Sequence, residues 1–119
     1  MGNTDIGQLP LLDDETFAEL RDIMEDEFIR LVNRFLDDLP IQLDHLHRAV
    51  LQGSTTDVHR IAHKLKSSCG NLGTTRLTEW VRQLELAGRQ DTLDGVAEAL
   101  QETRAVAEKT IALLQAQLS

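Results

Sequence analysis

Aromatic residues are scarce in this 119-residue chain: three Phe, one Trp and no Tyr, 3% in all. Sandwiches and barrels draw on aromatic and β-branched side chains, so this scarcity, with only two prolines, argues against an all-β fold. The single cysteine, Cys69, excludes an internal disulfide and a thiolate metal cluster, and fits a reducing compartment. No run approaches eighteen consecutive apolar residues, so no membrane-spanning segment is expected. Met1 to Ile6 lacks the basic and apolar regions of a secretory signal, and Ile6 stands where a myristoylation signal needs Ser or Thr. These absences together predict a cytoplasmic protein. Positive charge is also short: 12 Lys and Arg against 20 Asp and Glu give a net charge of -8. Nucleic-acid affinity comes mostly from clustered cations, so nucleic acid is not an expected partner. A glycine-rich phosphate loop is missing too, which excludes an ATP site of that kind.

What the chain has in quantity is Leu, Ala, Glu, Gln and Arg, a helix-forming composition of about one domain's length. Residues 1–12 carry Gly2, Gly7 and Pro10 and read as a tail that Leu9, Leu11 and Leu12 could anchor, leaving 13–119 as the domain. The acidic run Asp13-Asp14-Glu15 favours a helix start through the macrodipole, and Phe17, Leu20, Ile23 and Met24 follow at helical spacing. A second, longer helix is predicted from about Glu25 to Gln52, with a kink or local break near Asp37 to Leu39 caused by Pro40, and an end at Gly53. Ser54 and Asp57 have capping-box spacing and open a third helix that ends near Asn71 to Gly73. Thr74 or Thr75 would cap a fourth, with Leu77, Trp80, Val81 and Leu84 on its apolar face, closing near Gly88. A fifth runs from about Thr92 to Gln117. Short connections between amphipathic helices favour antiparallel neighbours, so the expected fold is all-α: an antiparallel up-and-down four-helix bundle with a short extra N-terminal helix.

The third helix carries the one run that points to a chemistry, Ala62-His63-Lys64-Leu65-Lys66-Ser67-Ser68-Cys69-Gly70-Asn71-Leu72-Gly73. On a wheel of 100° per residue, Val58, Ile61, Ala62, Leu65, Cys69 and Leu72 form one stripe, and His63 falls on the opposite side among His59, Arg60, Lys66, Ser67 and Gly70. A neutral, exposed imidazole keeps a lone pair on one ring nitrogen for attack on phosphorus. The product would carry roughly -1.5 to -2 charge, which Lys66, one turn away, can stabilise, while Lys64 can help or steer an acidic partner. Ser67 and Gly70, at i+4 and i+7, leave an incoming protein room to approach.

Ala62-His63-Lys64-Leu65-Lys66, the small pair Ser67-Ser68, then Gly70 and Leu72-Gly73 resemble the signature of histidine-containing phosphotransfer (HPt) domains. The resemblance extends through Leu84-Glu85 and Ala87-Gly88-Arg89 and covers nearly the whole chain. It implies a free-standing phosphorelay module in which His63 is the phosphoacceptor through Nε2, and Glu85 accepts a hydrogen bond from the other ring nitrogen. It implies two partners: the receiver domain of a hybrid sensor kinase as donor and a response regulator as acceptor, docking over His59, Arg60, Lys64, Ser67 and Gly70. No cofactor or metal of the chain's own is expected, since the magnesium would sit in the receiver's acidic pocket, and the chain would carry phosphate without being a kinase. One departure from the family is Ser67, where glycine is usual; it adds bulk at the docking surface. The acidic surface favours a monomer.

Other constellations carry less. His59 and His63 have the i, i+4 spacing of a two-histidine metal site, but Arg60 stands where a zinc protease needs its glutamate. Ser68 and Cys69 are read as lying toward the buried side, away from His63. Glu25-Asp26-Glu27 is read as a solvated helix start rather than a cation site. A helical adaptor with no phosphotransfer is the rival function, and labelling of the chain by a phosphorylated receiver separates the two.

Overall fold

The computed structural model describes residues 3–118. Its elements are α1 (Asn3–Ile6), α2 (Asp14–Met24), α3 (Asp26–Leu51), α4 (Thr55–Asn71), α5 (Thr75–Arg89) and α6 (Val96–Leu118). No strand occurs among the described residues. The four long helices close a ring: α4 packs between α3 and α5, α5 against α6, and α6 against α3. Short connections at 52–54 and 72–74 make neighbours antiparallel, so the chain is an up-and-down four-helix bundle. Helix α2 lies against α3, and α1 against α5.

Each long helix buries a stripe at steps of three and four: Val32, Leu39 and Leu46 from α3, Val58, Leu65 and Cys69 from α4, Leu77, Val81 and Leu84 from α5, Leu100, Val106 and Leu114 from α6. Cys69 is fully buried, and that burial pushes its thiol pKa up to about 12, outweighing the lowering effect of Thr74. It belongs to the core rather than to any reactive surface. Ser68 differs from the sequence expectation: it is exposed, and its hydroxyl turns back toward the Lys64 carbonyl at 3.5 Å.

Three boundaries also depart from the sequence reading. Helix α3 is continuous from Asp26 to Leu51 with Pro40 inside it, so of the kink or break expected near Asp37 to Leu39 the break does not occur. Pro40 is exposed, so the carbonyl it deprives of a donor is within reach of water, while Leu39 and Leu43 beside it stay buried in the core. Helix α6 begins at Val96, not Thr92: Asp91 at φ 56° and Gly95 at φ 73° turn the chain, and the Thr92 hydroxyl accepts the Asp94 N–H at 3.1 Å. Ser54 caps α4 by accepting the Asp57 N–H at 3.2 Å, as its spacing predicts. Thr74 does not cap α5 in that way; its hydroxyl donates to the Cys69 carbonyl at 2.8 Å and so ties the α4–α5 turn together.

Residues 5–12 lie on the domain, with Ile6 and Leu12 buried. The Arg76 guanidinium donates to the Leu9 carbonyl at 2.7 Å, and the Arg76 backbone N–H to the Pro10 carbonyl at 3.0 Å. Leu12 is buried and Leu9 and Leu11 pack partly buried against the core, as expected; Ile6 anchors the segment without having been anticipated.

Candidate functional site

Because the apolar stripe of α4 is turned into the bundle, His63 on the opposite side of the helix stands in solvent with 60% of its side chain exposed. What lies beneath it is set by α5. At Gly88 the two helices approach so closely that a Cβ would sit 2.6 Å from the His59 nitrogen and 2.8 Å from the Thr55 carbonyl oxygen. Only glycine fits there. Glu85, one turn earlier on α5, is thereby pressed into the seam under His63, with 1% of its side chain exposed.

The Glu85 carboxylate is the hub. Its Oε2 accepts a hydrogen bond from His63 Nδ1 at 2.5 Å, and its Oε1 faces the Lys66 ammonium at 2.6 Å. Arg89, one turn along α5, brings its guanidinium to 3.7 Å from Oε2. Burial pushes the Glu85 carboxyl up, but hydrogen bonds from Lys66 and His63 and the charges they carry outweigh it and hold the carboxyl below the ordinary carboxylate range. Glu85 is therefore ionised at neutral pH and can only accept. The proton between it and His63 sits on Nδ1, leaving the Nε2 lone pair on the outward side of the ring. Such an imidazole is oriented, fixed in one tautomer and open to solvent at its nucleophilic nitrogen.

Lys66 is 29% exposed and bound to Glu85. It is thus held beside the imidazole, one helical turn away. His59, half-buried, packs its ring 6.0 Å from the His63 ring at an interplanar angle of 25°, and its Nδ1 donates to the Glu85 backbone carbonyl at 3.4 Å. Ser67 and Gly70 are exposed on the same side as His63; the Ser67 hydroxyl turns to the His63 carbonyl at 3.5 Å rather than to the imidazole. A Cβ on Gly70 would meet only the Thr78 methyl, at 3.9 Å. Arg60 and Lys64 are exposed on the other flank of α4, where they line a groove of about 700 Å³ against α3 with Asp38, Arg48 and Asp57. Structure therefore brings His59, His63, Lys66 and Glu85 together and sets Arg60 and Lys64 apart. Arg89 and Gly88 have site roles that sequence reasoning did not assign, although the i, i+4 spacing of Glu85 and Arg89 is a signal for the first.

Comparison with known proteins points to one family. The family model for the Hpt domain matches residues 30–118. Histidine-containing phosphotransfer protein B (HptB) of Pseudomonas aeruginosa PAO1 is similar in structure with a TM-score of 0.88 and 27% identity, over 91% of this chain and 94% of that one. A rice protein described as a histidine-containing phosphotransfer protein shares the fold, with a TM-score of 0.73 at 22% identity over 92% of this chain and 86% of that one. No curated protein matches the sequence significantly.

Proposed function

The chain belongs to the Hpt domain family, and on that premise we propose that His63 is its phosphoryl acceptor, attacking through Nε2 the phospho-aspartate of a receiver domain. The protein is a phosphorelay intermediate of two-component signalling, a carrier of phosphate rather than a kinase. In the transfer the Nε2 lone pair forms the N–P bond as the P–O bond to the aspartate breaks, and the aspartate leaves as a carboxylate. The ring gains positive charge, and the proton on Nδ1 stays in the hydrogen bond to Glu85. Passing the group to a response regulator is the reverse of the same steps. In-line displacement asks mostly for positioning and neutralised charge. Glu85 supplies the first by holding the ring, and Lys66 supplies the second from one turn away.

The donor in this reading is the receiver domain of a hybrid sensor kinase and the acceptor a response regulator, both in the cytoplasm, with magnesium held in the receiver. Docking covers the exposed surface around His63, where Ser67 and Gly70 keep side chains small, and Arg60 and Lys64 add charge from the other flank of α4. No helix of the described residues is long and apolar enough to cross a membrane. The observation that carries the proposal is the buried Glu85 carboxylate 2.5 Å from His63 Nδ1, which leaves Nε2 free and outward. Incubation with a radiolabelled phospho-receiver tests it: label is expected on the wild-type chain and absent from His63→Gln. Equal labelling of both, or of neither, sinks it.

A further inference from the structure

We infer that Thr55 and Asp91 are positioning residues for the phosphoacceptor: their hydrogen bond latches the open end of the α4–α5 hairpin and so keeps the Glu85 carboxylate in register beneath His63. Thr55 is the first residue of α4, and Asp91 lies just beyond the end of α5. The Thr55 hydroxyl donates to the Asp91 carboxylate across that gap. Both stand about two helical turns from His63 along α4, so they act through the helices and not on the imidazole itself. The consequence for phosphoryl acceptance rests on His63 as the acceptor; the latch does not.

The site needs such a device. Gly88 sets how near α4 and α5 come, because its missing Cβ makes room for the backbone of Thr55 and His59. A contact without a side chain offers no ridge against sliding or splaying, and Glu85 tolerates neither. Its Oε2 takes the His63 Nδ1–H and its Oε1 meets Lys66, one turn further along α4. Movement of α5 toward either partner therefore draws the carboxylate away from the other. At the turn end of the hairpin the Thr74 hydroxyl, bound to the Cys69 carbonyl at 2.8 Å, ties the two helices together. At the open end the Thr55–Asp91 bond does so, and His63 stands between the two ties.

The backbone of Asp91 supplies a second, independent observation. It holds φ at 56°, a left-handed conformation that costs energy for any residue with a side chain, although Asp and Asn bear it better than most. Its N–H donates to the Gly88 carbonyl at 3.2 Å, so the residue bound to α4 is also tied to the glycine of the seam. Local strain persists only where surrounding contacts hold it in place. Here the carboxylate finds two: the Thr55 hydroxyl, and the positive end of the α4 dipole, beside whose first residue it rests. A charged acceptor makes this bond stronger than one between neutral groups.

Three variants of the full chain test the latch, with circular dichroism to check that each folds. Thr55→Val removes the donor at nearly the same shape. Asp91→Gly removes the acceptor while relieving the left-handed backbone, so the lost bond is offset in stability. Asp91→Asn keeps an oxygen acceptor on a residue that tolerates the conformation. Nitrogen NMR of the imidazoles at mildly alkaline pH, assigned with His63→Gln, reports which ring nitrogen of His63 carries the proton. Nδ1 alone is expected in the wild type and Asp91→Asn, and a mixture of Nδ1 and Nε2 in Thr55→Val and Asp91→Gly. Single-turnover acceptance from a phospho-receiver should fall at least threefold in Thr55→Val and Asp91→Gly and be restored in Asp91→Asn. A merely structural role lowers stability and leaves the tautomer of the folded chain unchanged. An unchanged tautomer in Thr55→Val and Asp91→Gly overturns the inference, as does a smaller fall in acceptance, or a loss in Asp91→Asn as large as in Asp91→Gly. If the wild type itself takes no label, the phosphoacceptor reading fails, and the tautomer alone decides the latch.

Discussion

The two flanks of α4 are built differently. On one, α5 comes so close that Gly88 has no room for a methyl group and a carboxylate is sealed beneath the surface. On the other, α3 stands back and leaves a groove lined by Arg48, Arg60 and Lys64 with Asp38 and Asp57 between them. Charges on the tight flank have one geometry, because the buried Glu85 carboxylate takes the His63 ring N–H and has two cationic neighbours, Lys66 and Arg89. On the open flank Arg60 and Asp57 pair at 3.5 Å with both side chains well exposed, an arrangement of little energetic consequence. One helix thus carries a rigid chemical side and a soft, adaptable one, with His63 at the edge of the rigid side.

The comparison breaks most directly at Gly88. Gly88→Ala forces the helices apart against backbone atoms, and a loss of roughly 1–3 kcal/mol is expected from overpacking of this kind. Urea unfolding measures it; an unchanged midpoint would mean the seam is not tight. Next in size is Glu85. Glu85→Ala removes the acceptor for His63 Nδ1 and leaves Lys66 without its partner, a deletion worth roughly 1–3 kcal/mol, so phosphoryl acceptance should slow by tenfold or more in single-turnover kinetics. Glu85→Gln keeps an oxygen for Nδ1–H and should retain a larger share of the rate.

A smaller effect follows from acid. Because the Glu85 carboxyl is held below the ordinary range in the folded state, its contribution to stability is complete above that range and drains away as pH falls through the folded value. Stability measured from pH 6 downward should therefore decline less steeply in Glu85→Gln than in the wild type. Identical acid limbs would remove the electrostatic account of the seam. The smallest change is expected on the open flank. Arg60→Ala and Lys64→Ala should each shift stability by no more than about 0.5 kcal/mol, while association with the receiver becomes slower and less sensitive to salt. A large stability loss from either would show the groove to be as constrained as the seam.

Much of this was legible in the sequence wherever a local period decided the outcome. The stripe through Val58, Ile61, Leu65 and Cys69 put His63 outside, and the Ser54 cap and Gly53 set where α4 begins. Legibility failed where tertiary contacts overruled local preference. Pro40 reads as a breaker, yet α3 runs through it with buried leucines on either side. The start of α6 is delayed by left-handed residues at Asp91 and Gly95, and nothing in a helical spacing count shows φ at a non-glycine. Glu85 stands at the border of its helix's apolar face in sequence; its near-complete burial needs the crossing at Gly88, a fact about two helices at once. Ser67 reads as added bulk at the docking surface, and spacing does not show that its hydroxyl is turned to its own helix's carbonyl.

Cys69 gives the experimenter a gauge. Its thiol is sealed at the centre of the bundle and its pKa is raised to about 12, so a thiol-reactive dye has no thiolate to meet while the chain is closed. Labelling must wait for the helices to part, and its rate under gentle conditions reports how often they do. With no second cysteine to confuse the signal, the wild-type chain records its own opening without an engineered probe.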